Sequence, residues 1–526
     1  MSNTNVHILL LRDAAAQTIA SPGASHCWHR LADASRRVED EVVKSAVVQD
    51  LLAHAPADGA AGFLRATWLA SMMNDDARLA EAGRIVQDIA PIDPDRLVAF
   101  LAYAWNWVLK HATDRVAFAQ AVREACVPDI LHRLGQHLSR HAETRPPARK
   151  IDTVRKIALI TPMLSAYPHA PTAAALHRTR ILIEQGVQVG LFSCLDHKVP
   201  GMKHFLGGGE DNSMEPFDAS RWRTHLRPGL VIRQGVDLFS LMGRWTQMLK
   251  DISAFDPDLV MSVGFYSPMV APLYEARPVL GLNIHSVAPL DPVDVWLCAF
   301  EDEAGKTQAE WGGHLPDSVA WYHPYRIPPA LPGPPGSASR RELGLPEAAL
   351  VLISVGYRLE TEIDGAWASR MIALLRDEPN VTWLLVGGTG AMPAALALAP
   401  AAQVRVLRAR GDISAVLRRC DIYVNPPRMG GGFSVAEAMA EGLPVVAYGG
   451  SDGGHKVGSA AAGDDAGYFS RLTALIASAD LRRQEGQAMR ALFSSTLDLD
   501  QSATSLLAAC DLALERFRRR TTPVTS

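Results

Sequence analysis

The stretch Asn425-Pro-Pro-Arg-Met-Gly-Gly-Gly-Phe-Ser-Val-Ala-Glu-Ala-Met-Ala-Glu-Gly-Leu-Pro-Val-Val-Ala447 holds the densest chemistry of the chain. It reads as a strand end, a glycine-rich loop, a short helix starting near Ser434, and a second buried strand. Gly430, Gly431 and Gly432 let the backbone approach a ligand closely, and the free N–H groups of the helix behind them favour an anion. Phe433 and Ser434 complete the loop. Glu437, one turn into the helix, is an acidic acceptor beside the place a phosphate would take. Ribose hydroxyls are the simplest partners for an acid so placed, so the segment asks for a nucleoside diphosphate. A plain strand–loop–helix corner with a solvated Glu437 fits the same letters, because phosphate loops come in many unrelated forms.

Other side chains could join this chemistry from neighbouring loops. Arg358 follows an apolar run in Val355-Gly-Tyr-Arg-Leu359 and could balance a phosphate or sit in a surface ion pair. His169 and Thr172 follow the first apolar run after residue 150, where an acceptor could approach. Asp452, His455 and Lys456 follow the Pro444–Ala447 run and could meet a sugar or a diphosphate. Each also fits an ordinary solvated loop, and His177-Arg178-Thr-Arg180 fits a helix face. No Asp-x-Asp pair sits where it would hold a metal, so metal-independent chemistry without a bound cofactor is expected.

These groups need a scaffold. Residues from about 30 to 145 show apolar positions at three- and four-residue spacing over Glu41–Ala55, Ala60–Met73, Asp75–Ile89, Asp95–His111 and Asp114–Ala142, with Asn74 and Thr113 as caps. This predicts an all-α domain over residues 1–150, with Trp68, Tyr103, Trp105 and Trp107 as packing groups. After the linker Glu143–Lys150 the pattern changes. Lys156–Thr161, Val187–Cys194, Asp256–Val263 and Pro278–Ile284 read as short buried strands, with a helix over Thr172–Gln185. The proline-rich stretch Ile327–Gly336 marks a second boundary. Strands then recur at Leu350–Val355, Val381–Val386, Val404–Leu407, Asp421–Asn425 and Pro444–Ala447. The plan is α/β: two doubly wound Rossmann-like domains, 151–330 and 337–500, after an all-α domain, with a last helix and tail over 501–526. Ligands in such sheets bind at the carboxyl ends of the strands, where Arg358 and the 428–434 loop both fall.

Composition narrows the classes. In 526 residues, 48% are hydrophobic and 21% charged, as in ordinary globular proteins. A net charge of −4 supplies no field for nucleic acid. The tail Arg516-Phe-Arg-Arg-Arg520 reads as a solvated helix end. Six cysteines without a C-x-x-C pair argue against a zinc site or a disulfide framework. The first residues carry too short an apolar run for a signal peptide, and Leu97–Leu109 is too short to span a bilayer, so a cytoplasmic protein without a transmembrane segment is expected.

Two α/β domains around a cleft resemble the GT-B glycosyltransferases. Gly431-Gly-Phe-Ser-Val-Ala-Glu-Ala-Met-Ala-Glu-Gly-Leu-Pro-Val-Val446 is similar to the donor-binding signature of the family-4 enzymes, in which Glu437 matches the ribose-binding acid. The first acid of that signature falls at Met429 and is missing. Val355-Gly-Tyr-Arg-Leu359 looks like their Gly-Arg-Leu turn, which gives Arg358 the donor diphosphate; Thr361, Glu362 and Ile363 stand where a lysine usually follows. The middle domain, with Asp256-Pro-Asp-Leu-Val-Met-Ser-Val-Gly264, Glu275-Ala-Arg-Pro-Val-Leu-Gly-Leu-Asn-Ile-His285 and Asp294-Val-Trp-Leu297, is similar to family 41. That family includes the O-GlcNAc transferases and bacterial cytoplasmic protein N-glycosyltransferases, and it also places helices first. The resemblance implies a bacterial-type hexosyl transfer from a nucleotide-diphosphate sugar, a UDP-sugar foremost, to a protein or glycan acceptor, with His285 at the cleft as a catalytic candidate beside Arg358. A silent binding scaffold and a sugar-nucleotide epimerase of the same fold remain alternatives.

Overall fold

The computed structural model describes residues 3–522 apart from 57, 74–75, 89–93, 113, 167–168, 197, 199–215, 237, 265, 284–287, 313–316, 330–337 and 364. Asn74, Thr113 and His285, and most of the proline-rich boundary, lie outside the described residues. The helical region runs as Asn3–Ala20, Ser25–Arg36, Glu41–His54, Gly59–Met73, Asp76–Asp88, Pro94–His111, Arg115–Glu124 and Val127–His141. Asp40 caps the third helix, accepting from the Val42 and Val43 amides, and Asp114 caps the seventh through Ala117 N. The single helix expected over 114–142 is two. Cys126 adopts a left-handed φ of 56°, and Pro128 opens the next helix, where its missing N–H is harmless. The first two helices lie largely before the region read as helical, and in the first of them apolar residues and alanines fall on all sides, which leaves little periodicity.

The helical region does not stand apart. Phe63, Phe100, Trp105, Phe118 and Leu134 share one apolar cluster with Trp245, Met269 and Trp311 of the next domain. Trp68, Trp105 and Trp107 are buried, as packing groups should be.

The first sheet consists of β1 (Lys156–Ile160), β2 (Gln188–Ser193), β3 (Val231–Gln234), β4 (Leu259–Gly264), β5 (Val279–Asn283), β6 (Val295–Cys298) and β7 (Val319–Tyr322), in the order β3-β2-β1-β4-β5-β6-β7. All pairs are parallel; Ile157, for example, is flanked by Val189 and Leu259. The strands visible in the sequence are the buried central ones. β3 and β7 are half-exposed edges, and β6 is a four-residue run behind Pro289 and Pro292, so none has a clear pattern.

The second sheet holds β8 (Leu350–Val355), β9 (Val381–Val386), β10 (Val404–Leu407), β11 (Ile422–Val424) and β12 (Val445–Val446), also parallel, in the order β10-β9-β8-β11-β12. The chain winds from β8 outward through β9 and β10, then returns to the other side of β8 as β11. That reversal opens a crevice at the carboxyl ends of β8 and β11. The final helix, Ala503–Thr521, crosses back to the first sheet, burying Leu506, Ala509 and Cys510 with Leu280, Val295 and Leu297. Its basic end is not simply solvated. Arg520 Nε reaches Asp294 Oδ1 at 2.7 Å, and its guanidinium lies 3.6 Å from the Tyr274 ring centre.

Candidate active site

The crevice of the second sheet is built on Asn425, fully buried just after β11. Its Oδ1 accepts from Arg428 Nε at 2.9 Å and Nη2 at 2.8 Å, which folds the loop back on itself. Gly431 has φ 92°, and a Cβ there would meet Asn425 Oδ1 at 2.5 Å. Only glycine fits this turn. The helix behind it is Gly432–Ala440, beginning two residues before the Ser434 start read from the sequence. Ser434 Oγ lies 3.2 Å from the Val355 carbonyl and accepts the Tyr423 hydroxyl at 2.7 Å, which ties the loop to the end of β8.

Arg358 stands across from this loop at the end of β8, with Nη2 at 3.5 Å from where a Gly430 Cβ would be. Its side chain keeps 40% exposure while Nη2 pairs with Glu362 Oε1 at 2.9 Å. The other oxygen of Glu362 takes Arg428 Nη1 at 2.9 Å. Burial raises the Glu362 pKa, but the Arg428 and Arg358 guanidiniums outweigh it and hold the carboxyl below its usual range. Two guanidiniums thus share one carboxylate, leaving one net positive charge beside the glycine loop. Arg428 was not given a role from sequence; an arginine inside a glycine loop was the available signal.

Glu437 is half-buried one turn up the helix. Burial and then the Glu441 charge push its carboxyl up to about 8, with no donor among the described residues offsetting them. In the protein alone it holds a proton at neutral pH. A shallow hollow adjoins the Arg358 turn, lined among others by Tyr357, Leu359, Gly387, Gly388 and Pro393. Glu360 fixes its rim by accepting from Thr389 N at 2.9 Å and Thr389 Oγ1 at 2.7 Å.

The remaining sequence candidates fall at two places. Ser451 caps the short helix Asp452–Val457, in which Lys456 Nζ pairs with Asp452 Oδ1 at 2.7 Å. The His455 ring lies 4.7 Å from that of Phe300 of the first α/β domain, tilted by 45°, and burial, first, lowers its pKa to about 4. All three therefore lie on the seam between the domains. His169 and Thr172 are buried at the start of the helix Ala170–Glu184: His169 Nδ1 is 2.8 Å from Thr172 Oγ1, which accepts from Ser165 N at 3.0 Å. That geometry closes the loop after β1 and caps the helix. On the same helix His177, Arg178 and Thr179 are buried rather than displayed on a solvent face. Phe433 links this helix to the glycine loop, its ring parallel to His177 at 6.5 Å. Met429 joins the apolar cluster that also holds Tyr266 and Leu290. The loop is thus held by both apolar cores of the first α/β domain. Among the described residues no group of three or more His, Cys, Asp or Glu is arranged to hold a metal.

Residues 349–478 match the family model described as "Glycosyl transferases group 1". No curated protein sequence matches the chain. Among solved structures, a mutant O-GlcNAc transferase from Thermobaculum terrenum is similar over 99% of this chain and 100% of its own, at 12% identity and a TM-score of 0.60. A glycosyltransferase from Rickettsia africae is similar over 69% of this chain and 99% of its own, at 11% identity and a TM-score of 0.49. The first likeness shows the fold, GT-B with a preceding helical region. The domain carrying the glycine loop is a group 1 glycosyltransferase domain, and the activity class is glycosyl transfer.

Proposed function

We propose that this protein moves a hexosyl group from a nucleotide-diphosphate sugar, a UDP-sugar foremost, to a protein or glycan acceptor in the cytoplasm of a bacterium. The observation that carries this reading is the apposition of Arg358 to Gly430, with Glu437 one turn along the helix behind it. Loop amides and Arg358 would take the leaving diphosphate, and Glu437 the ribose. Charge that develops on the departing diphosphate then meets fixed dipoles and a guanidinium, so the protein itself supplies the cations and no metal is needed. The acceptor would enter from the first α/β domain. The helical region shares its core with that domain and so offers one continuous surface to a protein acceptor. His285, following β5, is the candidate for contact with the donor or acceptor nucleophile.

The test is UDP release from UDP-glucose, UDP-galactose and UDP-N-acetylglucosamine, with and without a bacterial lysate as acceptor source. Acceptor-dependent release that is lost in Arg358→Ala supports transfer. Conversion of the donor alone into its epimer would instead identify an epimerase. A second reading, nucleotide binding without transfer, is favoured by the burial of Met429, which leaves apolar surface where the family pattern has an acid. Tight UDP binding with no turnover on any donor would select it.

A further inference from the structure

The seam between the glycine loop and the helix Asp452–Val457 holds an ion pair that the preceding reading does not use. The Asp452 carboxylate lies against Gly432, so that a Cβ at this first helical residue would overlap it, with Oδ1 only 2.7 Å away. An acid therefore already stands at the positive end of the helix Gly432–Ala440. Its partner Lys456 is 4% exposed, and an ammonium so buried requires an anion beside it. Arg326, half-buried, adds positive charge to the same region.

An independent observation points to the same spot. Because Asn425 Oδ1 accepts twice from Arg428, the orientation of its amide is fixed, and Nδ2 points at Gly453, 2.7 Å from a Cβ there. That N–H₂ is fully buried and has no hydrogen-bond partner among the described residues. It is a donor directed at the chain one residue from Asp452. The helix carrying Asp452 is six residues long and includes the buried Gly453 and Gly454.

We propose that Asp452 occupies the anion place at the start of the helix Gly432–Ala440, and that a donor diphosphate displaces it, taking Lys456 as its second cation beside Arg358. This rests on the nucleotide-sugar reading above. It also gives the chain a cation to replace the one missing from Thr361–Ile363. Exchange of one anion for another leaves the buried ammonium paired throughout, while Asn425 Nδ2 is free to donate to the incoming oxygen.

Titration calorimetry with UDP and uridine as probes tests it on the full chain. Asp452→Asn removes the competing charge and should bind UDP about tenfold more tightly than wild type, with uridine unchanged. Lys456→Met should weaken UDP by about tenfold and leave uridine alone. Asp452→Asn that folds and binds UDP no better than wild type overturns the proposal. If that variant fails to fold because Lys456 is stranded, the double variant Asp452→Asn/Lys456→Met removes both charges together. The two opposite effects offset there, so it should bind UDP about tenfold more tightly than Lys456→Met alone with uridine unchanged, and UDP affinity no better than that of Lys456→Met overturns the proposal. Failure of the wild-type protein to bind any nucleoside diphosphate is a different result, which removes the donor-site reading itself.

Discussion

Glu437 carries the most specific expectation at the scale of single residues. Replacing it with alanine removes a charge-assisted acceptor for ribose hydroxyls and should weaken nucleotide binding by about 1–3 kcal/mol, read by calorimetry on the folded variant. The carboxyl sits near pH 8 in the protein alone, yet it must be ionised to accept two hydroxyls. Binding below that pH therefore releases a proton. Affinity for a UDP-sugar, whose diphosphate does not titrate in this range, should rise with pH up to about 8 and level off above it. Glu437→Gln should abolish the slope; a slope that persists would assign the titration elsewhere. Arg358→Ala should weaken UDP far more than uridine, and equal losses for both would remove its role at the phosphates. Glu437, Arg358 and the three glycines could be picked from sequence because residue type and local spacing suffice. The Glu362–Arg428 pair could not, since it depends on how the ends of β8 and β11 meet in space.

Elements place these groups through close backbone approach. At the end of β9, Gly387 has φ 151°, and a Cβ there would run into the Gly356 carbonyl at the end of β8. Gly387→Ala must part the two strand ends that support the Arg358 turn. It should cost more than the ~1 kcal/mol typical of a strained glycine site and should weaken UDP binding as well. Denaturant unfolding with unchanged stability would contradict this account of the turn. The five strands of the second sheet were legible to within a residue or two at most ends, because four are short apolar runs that are largely buried, and the half-exposed edge strand β10 keeps valines and a leucine around its single arginine. In the first sheet β3, β6 and β7 escaped notice for the opposite reason: exposure or flanking prolines erase the pattern there. The break at Cys126 escaped too, as apolar periodicity runs straight through a left-handed residue.

The whole molecule is joined by charge as well as by apolar packing. Arg115 of the helical region reaches Glu310 at 3.1 Å and Glu303 at 3.4 Å, and Glu303 is fully buried. Arg115→Leu removes the guanidinium shared by these two carboxylates, leaving Glu303 the Ala299 amide alone as a hydrogen-bond donor among the described contacts. It should destabilise the protein by about 3–5 kcal/mol, lowering the melting temperature of the helical and α/β parts together. Separate melting of the helical part would show that the shared core does not couple them. That a helical region precedes two parallel sheets was readable from the change in apolar pattern along the chain. The return of the last helix onto the first sheet was not, because nothing in an amphipathic segment names the surface it will cover.

The central claim is a nucleoside-diphosphate site between Arg358, the Gly430–Gly432 loop and Glu437. Its most direct test is a thermal-shift panel of UDP, GDP, ADP, CMP and dTDP on the wild type and on Glu437→Ala. At a hundred times its dissociation constant, one diphosphate should stabilise the wild type by about 2.7 kcal/mol, and the variant clearly less at the same concentration. No stabilisation by any diphosphate, or an equal effect on both proteins, would contradict the account.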